Sequence, residues 1–298
     1  MSGIFGLLNL YKPPGPTSHD LVAWVRRGTS VKKVGHAGTL DPAAAGVLVL
    51  CLGPATRLSE YLMGSPKTYA ARVHFGVETD TYDAEGAITA QNSRPLTQAE
   101  IEAALGRFRG EIAQVPPLYS AIKQGGRKLY DLARAGQTVE RDARAVTISR
   151  LLLTAWEPPI AVLEIDCSPG TYIRSLAHDL GQAVGVGAHL AALERTASGS
   201  FTAADAVPWE VFRAAMEAGT WTEHLLPPDR ALAAYPALHL DAEDTAAVLS
   251  GRLIAAPSGA AGHDLARAYD ADGRFIAVLE RRGPSWKPHK VFAGAGGE

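Results

Sequence analysis

Cysteine is nearly absent: Cys51 and Cys167 are the only two in 298 residues, and both lie inside apolar runs that read as strands. So few thiols exclude a disulfide scaffold and point to a reducing compartment. No apolar run approaches the roughly 18 residues that suggest a membrane span. Met1 to Gly6 has no basic region ahead of an apolar stretch, so no signal peptide is visible and a cytoplasmic location is expected. There is no Cys-x-x-Cys, no His-x-x-x-His and no second acid at helical spacing, which leaves a metal site unsupported. A Gly-x-Ser-x-Gly elbow is missing too, so serine hydrolysis has little support. Without a P-loop or a dinucleotide fingerprint, no bound cofactor is implied.

Net charge is also small, −2 from 29 Lys/Arg and 31 Asp/Glu, which argues against a general nucleic-acid binder. Its distribution is less even. Residues 1–75 carry eight Lys/Arg against three Asp/Glu, residues 111–150 carry seven against four, and residues 201–298 carry nine against thirteen. Two basic segments on a near-neutral chain could form a local footprint for an anionic ligand, or be ordinary solvated charge. A hydrophobic content of 47% and a charged content of 20% are those of a globular chain, long enough for one large domain or a large and a small one.

Strand-like and helix-like patterns alternate throughout, which predicts a mixed α and β protein. Ser18 precedes an amphipathic stretch through Leu21, Val22 and Val25 that stops at Gly28, so Ser18 is the expected N-cap of a short helix. Val47 to Leu52 reads as a buried strand and Ala55 to Met63 as a helix. From Tyr69 to Val77 the residues Ala71, Val73, Phe75 and Val77 share one face, the alternation of a half-buried strand. Thr97 and Glu100 form a capping box before Ile101. Val162 to Cys167 is a strand, and Tyr172 to Val184 a helix closed near Gly185. Pro116 to Arg144 reads as a basic insertion with a short helix over Lys128 to Ala135. A boundary is expected near Pro227-Pro228, followed by a β-rich unit with a helix from Ala242 to Ser250 and a strand from Arg274 to Glu280.

Individual residues leave their chemistry open. Asp41 follows a Gly-rich turn and precedes Pro42, which biases it toward extended geometry at the mouth of the next strand. It is either a reactive acid among small residues or a plain Asp-Pro turn. His36 could be a base, a metal ligand or a loop brace. Arg174 sits on a mostly apolar helix and needs an anionic partner if buried, or points to water. Tyr69 heads a strand, where a core tyrosine is the commoner outcome.

Taken in order, however, six segments resemble one family, the bacterial TruB tRNA pseudouridine synthases. They are Asn9 to Ser18 with its Lys12-Pro13-Pro14-Gly15, Val34 to Leu48 around Gly35-His36-Ala37-Gly38-Thr39-Leu40-Asp41-Pro42, Lys67-Thr68-Tyr69 with Gly76 to Asp83, Pro116 to Ala121, Gly170 to Ser175, and Gly187 to Leu193. The resemblance implies isomerisation of uridine 55 in the tRNA T loop without cofactor or metal. It implies an α+β catalytic domain over residues 1–227, with a central mixed or antiparallel sheet flanked by helices, and a small β-rich PUA-like domain over 228–298. Asp41 matches the catalytic aspartate, Tyr69 the tyrosine that stacks on the target base and is placed to remove the C5 proton, and Arg174 the arginine that pairs with the aspartate. Tyr172 and Leu193 match residues lining the uracil pocket, His36 matches the histidine that holds the RNA flipped out, and Lys12 belongs to the matched substrate-binding set.

The same resemblance makes the insertion at about 117–144 an RNA-clamping thumb, with Lys123, Arg127, Lys128 and Arg141 as its contacts. It implies a monomer whose partner is tRNA, held at the T stem-loop and, through the C-terminal domain, near the acceptor end. The alternatives are a tRNA-folding chaperone without catalysis and a synthase for another RNA. Three positions depart from the family pattern. Ala37 stands where many members have Thr, Glu194 precedes Arg195 where a basic pair is common, which puts one phosphate contact in question, and the C-terminal unit is net acidic.

Overall fold

The computed structural model describes residues 3–119, 123–124, 127–128, 141–255 and 262–292. The chain opens with β1 (Gly6–Lys12), α1 (Ser18–Thr29), β2 (Val34–His36) and β3 (Ala45–Leu52). After a 3-10 turn over Gly53–Leu58 come α2 (Ser59–Met63), β4 (Lys67–Phe75), β5 (Val77–Thr79), β6 (Ile88–Gln91), α3 (Gln98–Leu105) and β7 (Gly110–Gln114). The insertion contributes a two-stranded ribbon, β8 (Lys123–Gln124) with β9 (Arg127–Lys128). Then follow β10 (Arg144–Glu157), β11 (Ile160–Cys167), α4 (Ile173–Ala183), β12 (Ala188–Ser198), β13 (Phe201–Thr202), β14 (Val207–Pro208) and α5 (Trp209–Ala218). The last unit holds β15 (Ala237–His239), α6 (Ala242–Leu249), β16 (Ile254–Ala255), β17 (Leu265–Tyr269), β18 (Phe275–Arg282) and β19 (Ser285–Val291).

The main sheet runs β14-β1-β3-β12-β4-β11-β10-β7, with β2 beside β3 and β13 beside β12. It is mostly antiparallel, with parallel joins of β1 to β14 and of β12 to β3. The expected mixed sheet flanked by helices is therefore present, and a separate five-stranded sheet, β15-β17-β18-β19-β16, forms the C-terminal unit. Period-two alternation is strict in β4, where Lys67, Tyr69, Ala71, Val73 and Phe75 are all buried. One core face joins these to Leu163, Ile165, Leu176 and Leu180. The C-terminal unit packs against the body through Leu58, Leu232, Val278 and Phe292. Among the described residues no helix is long and apolar enough to cross a membrane.

Four local expectations change. The cap of α1 is Thr17, not Ser18: Thr17 and Asp20 form a reciprocal capping box. Ser18 instead turns inward, where its hydroxyl has another task. The segment expected as one helix over 55–63 splits, because Pro54 and the left-handed Gly53 (φ 64°) start a tight 3-10 turn that passes into α helix only at Ser59. Lys128, expected in a helix, lies in β9, and residues 129–135 lie outside the described residues. The alternating strand read over Tyr69 to Val77 starts at Lys67 and stops at Phe75, since Gly76 takes φ 86° and redirects the chain into β5.

Candidate active site

Asp41 lies in the segment between β2 and β3, which has no ladder of its own and so needs other partners for its carbonyls. Three side chains supply them. Lys12 Nζ donates to the carbonyls of Pro42 (2.9 Å) and Ala44 (2.6 Å) as well as to Pro13. The Ser18 hydroxyl donates to the Leu40 carbonyl at 3.1 Å and accepts the Leu40 N–H at 2.9 Å. Arg195 donates to the carbonyls of Gly38 (3.0 Å) and Val47 (2.7 Å), with a longer bond to Thr39 (3.4 Å). Gly38 at φ 122° makes the turn, a conformation that L side chains rarely adopt. The loop is thus clamped from three elements, and the Asp41 side chain emerges from it 43% exposed.

Sheet order brings the rest together. β12 lies between β3 and β4, so Gly46, Arg195, Tyr69 and Ile165 form one cross-strand row. Leu193 stands opposite Ala71, two pairs further along. A Cβ on Gly46 would meet the Arg195 carbonyl oxygen at 2.2 Å, so the parallel join needs glycine there. On the other side, α4 begins at Ile173 with Tyr172 as its N-cap. Tyr172 has no side-chain cap; its backbone is held in both directions by the Gln114 amide, at 2.8 and 3.0 Å.

Arg174, in the first turn of α4, is buried, which resolves its two possible orientations in favour of the partnered one. Nε approaches Asp41 Oδ2 to 3.0 Å as an ion pair, without the alignment of a hydrogen bond. Nη2 reaches Asp41 Oδ1 at 3.4 Å and the Tyr119 carbonyl at 2.9 Å, and Nη1 pairs with Asp83 Oδ2 at 3.3 Å. A guanidinium taken out of water is costly unless paired and hydrogen-bonded, and here two carboxylates and two carbonyls, those of Tyr119 and Thr81, share it. Asp83 is the more buried carboxylate, 15% exposed, and is fixed by the Thr81 hydroxyl at 2.5 Å and the Glu85 N–H at 3.1 Å.

Burial pushes the Asp41 carboxyl above the usual carboxylate range; Arg174 and, less strongly, Lys12 pull it back, and Asp83 adds to the rise. Lys12 falls to about 8 through burial. His36 falls to about 4, chiefly by burial, with His19 and Arg195 adding to the fall, so it is neutral near pH 7. Its ring stands edge-on to His19 at 5.1 Å, and among the described residues its buried Nδ1 has no hydrogen-bond partner. Tyr69 is raised, first by burial, with Arg195 opposing. Among the described residues no group of three or more His, Cys, Asp or Glu is placed to hold a metal ion.

Asp41, Tyr69, Arg174 and Leu193 are thus gathered around one sheet row and one helix start, with Tyr172 beside them and His36 at the end of β2. Lys12 needs correction as a substrate contact: it is fully buried and its ammonium is engaged by three carbonyls, so it braces the loop. Lys123, Arg127 and Lys128 lie on the ribbon by backbone, their side chains being outside the described residues, while Arg141 donates to the Pro116 carbonyl at 2.9 Å. Two residues escaped the sequence reading. Asp83 lay inside a matched segment without a role, and Arg195 was read only as half of a phosphate-binding pair, whereas it is buried and bonded to the loop. Glu194 accepts a hydrogen bond from the Tyr11 hydroxyl at 2.9 Å.

Comparison with known proteins shows the family. Residues 26–173 match the TruB family pseudouridylate synthase N-terminal domain, residues 174–233 the tRNA pseudouridylate synthase B C-terminal domain, and residues 235–293 the tRNA pseudouridine synthase II C-terminal region. The chain is 50% identical over 254 residues to tRNA pseudouridine synthase B of Symbiobacterium thermophilum, covering 84% of this chain and 83% of that protein. It is 45% identical over 280 residues to the enzyme of that name from Pseudomonas aeruginosa, covering 93% and 92%. Among solved structures, a crystal structure of a Cbf5-Nop10-Gar1 complex superposes with a TM-score of 0.76 at 29% identity, covering 98% of this chain and 86% of that one. An H/ACA RNP bound to a substrate RNA containing 2'-deoxyuridine gives 0.74 at 26% identity, covering 98% and 86%. Matched over nearly its whole length, the chain belongs to the TruB family of tRNA pseudouridine synthases, which are isomerases.

Proposed function

We propose that the chain converts uridine 55 in the T loop of tRNA to pseudouridine, with the target base flipped out of the stack and Asp41 as nucleophile. The observation that carries this reading is the Asp41–Arg174 ion pair of 3.0 Å, in which a buried cation faces a carboxylate that remains open to a ligand. A stacked base cannot be attacked in place, and extruding it costs a few kcal/mol. Tyr69 and Leu193 offer it an aromatic face and an apolar wall, and stacking is worth roughly 1–3 kcal/mol per base. Tyr172 flanks the pocket. Arg174 opposes the rise in the Asp41 carboxyl and so favours the ionised, nucleophilic form. Attack by a carboxylate divides the exchange of a C–N for a C–C glycosidic bond into easier stages, and Tyr69 takes the C5 proton after re-bonding.

On this reading His36, neutral and with Nδ1 unpaired, holds the loop RNA open. The insertion with Lys123, Arg127, Lys128 and Arg141 clamps the stem. The C-terminal unit, read as PUA-like from residue 228 onward, reaches toward the acceptor end, and the protein works in the cytoplasm as a monomer. Incubation of the protein with an unmodified tRNA transcript, followed by mapping of pseudouridine, tests the reading: conversion at position 55 is expected. Conversion only at other sites, or only in other RNAs, contradicts the substrate assignment.

A further inference from the structure

Arg195 is 2% exposed, and among the described residues its guanidinium has no carboxylate partner. Two more buried cations, Lys12 and Lys67, lie close enough for Arg195 to disfavour their charged forms. Collecting positive charge in a dry place costs stability, and such groups cluster at functional sites. Arg195 has two tasks. Its donors to Gly38, Thr39 and Val47 tie the segment ahead of Asp41 and the start of β3 to β12. Its cross-strand partner is Tyr69, paired directly with it across β12 and β4, and its positive charge opposes the rise that burial imposes on the Tyr69 hydroxyl. The charged or titratable groups that bear on that hydroxyl are Arg195 from β12, Cys167 from β11 and Asp41 from the loop, and of these three Arg195 is the cation.

We propose that Arg195 is a positioning residue for the isomerisation, one that fixes the Gly38-Thr39 segment before Asp41 and stabilises the phenolate of Tyr69 for removal of the C5 proton. The inference rests on the reading of Tyr69 as the base. In that step the C5–H bond breaks and its electron pair becomes the C5–C6 double bond. The former C6–N1 π pair moves to N1, which takes a proton from solvent, and the phenolate becomes the phenol. A phenol held neutral by burial alone is a weak base; a guanidinium beside its oxygen lowers the cost of the anion.

The test uses the full chain labelled with 3-fluorotyrosine and titrated by fluorine NMR, with Tyr69→Phe to assign the signal, alongside single-turnover rates on unmodified tRNA. Arg195→Met should move the Tyr69 titration up by about one unit or more. It should also lower the rate by about tenfold or more, shift the limb on which rate rises with pH to higher pH, and leave tRNA Kd within about threefold. Arg195→Lys, which keeps the charge and loses the fork, should return the titration most of the way while the rate stays below wild type. An unmoved Tyr69 titration in Arg195→Met overturns the proposal, as does a rate loss with an unshifted pH profile. If Arg195→Met does not fold, Arg195→Lys decides: a wild-type rate overturns the positioning role. A wild-type protein that never isomerises uridine defeats the functional reading instead, and the NMR titration still reports what Arg195 does to Tyr69.

Discussion

Nε of Arg174 lies 3.0 Å from Oδ2 of Asp41. The pair is lopsided: the cation is buried, the carboxylate is partly open, and a second carboxylate, Asp83, holds the far side of the guanidinium at 3.3 Å. Asp83 is itself tied to Thr81 and Glu85, so it is the anchor and Asp41 the working end. Asp83→Asn should therefore let Arg174 drift from its present placement. Misplacement of a positioned group by about 1 Å costs up to about a hundredfold in rate. Single-turnover rates are expected to fall at least about tenfold, with tRNA binding by filter retention nearly unchanged; a wild-type rate contradicts the anchoring role.

Stability should respond to Asp41 in the opposite sense from activity. Its folded carboxyl is raised, so the folded chain binds that proton more tightly than the unfolded chain does. Ionisation thus costs folding stability as pH rises through this range. Asp41→Asn removes it while Asp83 still pairs Arg174. Thermal denaturation at pH 7 is expected to give Tm equal to wild type or higher by up to about 4 °C. A large drop in Tm would mean that Asp41 is a structural partner of Arg174 first.

His36 supplies a pH signature. Its folded pKa, about 4, lies below the ordinary imidazole value of 6.5, so the unfolded chain takes up the proton first on acidification. The stability tied to its neutral form is present above pH 6.5 and is lost as pH falls toward 4. Urea unfolding at pH 7 and pH 5 should show a smaller loss for His36→Gln than for wild type. Equal losses in both proteins would contradict a buried neutral imidazole.

Gly46 tests the backbone arrangement. Its φ of 104° and the 2.2 Å approach of the Arg195 carbonyl oxygen to a Cβ leave no room for alanine. Gly46→Ala should destabilise the fold by about 2–4 kcal/mol in denaturant titration. A loss under about 0.5 kcal/mol contradicts this close packing of β3 on β12.

Much of this was legible along the chain because the relevant physics is local. Alternation over Tyr69 to Phe75 announces a half-buried strand, and the Thr97–Glu100 capping box marks the start of α3. The matched loop singled out Asp41. What the chain order hides is partnership across distance. Asp41 and Arg174 are 133 residues apart and meet only because of the order of strands in the sheet. Arg195 reads only as one member of an expected basic pair until β12 is placed between β3 and β4. Lys12 falls in the matched substrate-binding set, and lysines are usually exposed, yet the ladder-free loop around Asp41 has carbonyls to satisfy, and Lys12 donates to two of them. Ser18 was displaced as a cap by Thr17, one residue earlier, and its hydroxyl was thereby freed for Leu40.

The central claim is that the Asp41 carboxylate performs the chemistry at uridine 55. Its most direct test is the single-turnover yield of pseudouridine at that position in unmodified tRNA, wild type against Asp41→Asn, at matched tRNA occupancy. The account predicts conversion by the wild type and none above background by the variant, with both proteins folded and binding tRNA alike. Pseudouridine formed by Asp41→Asn at the wild-type rate would contradict it.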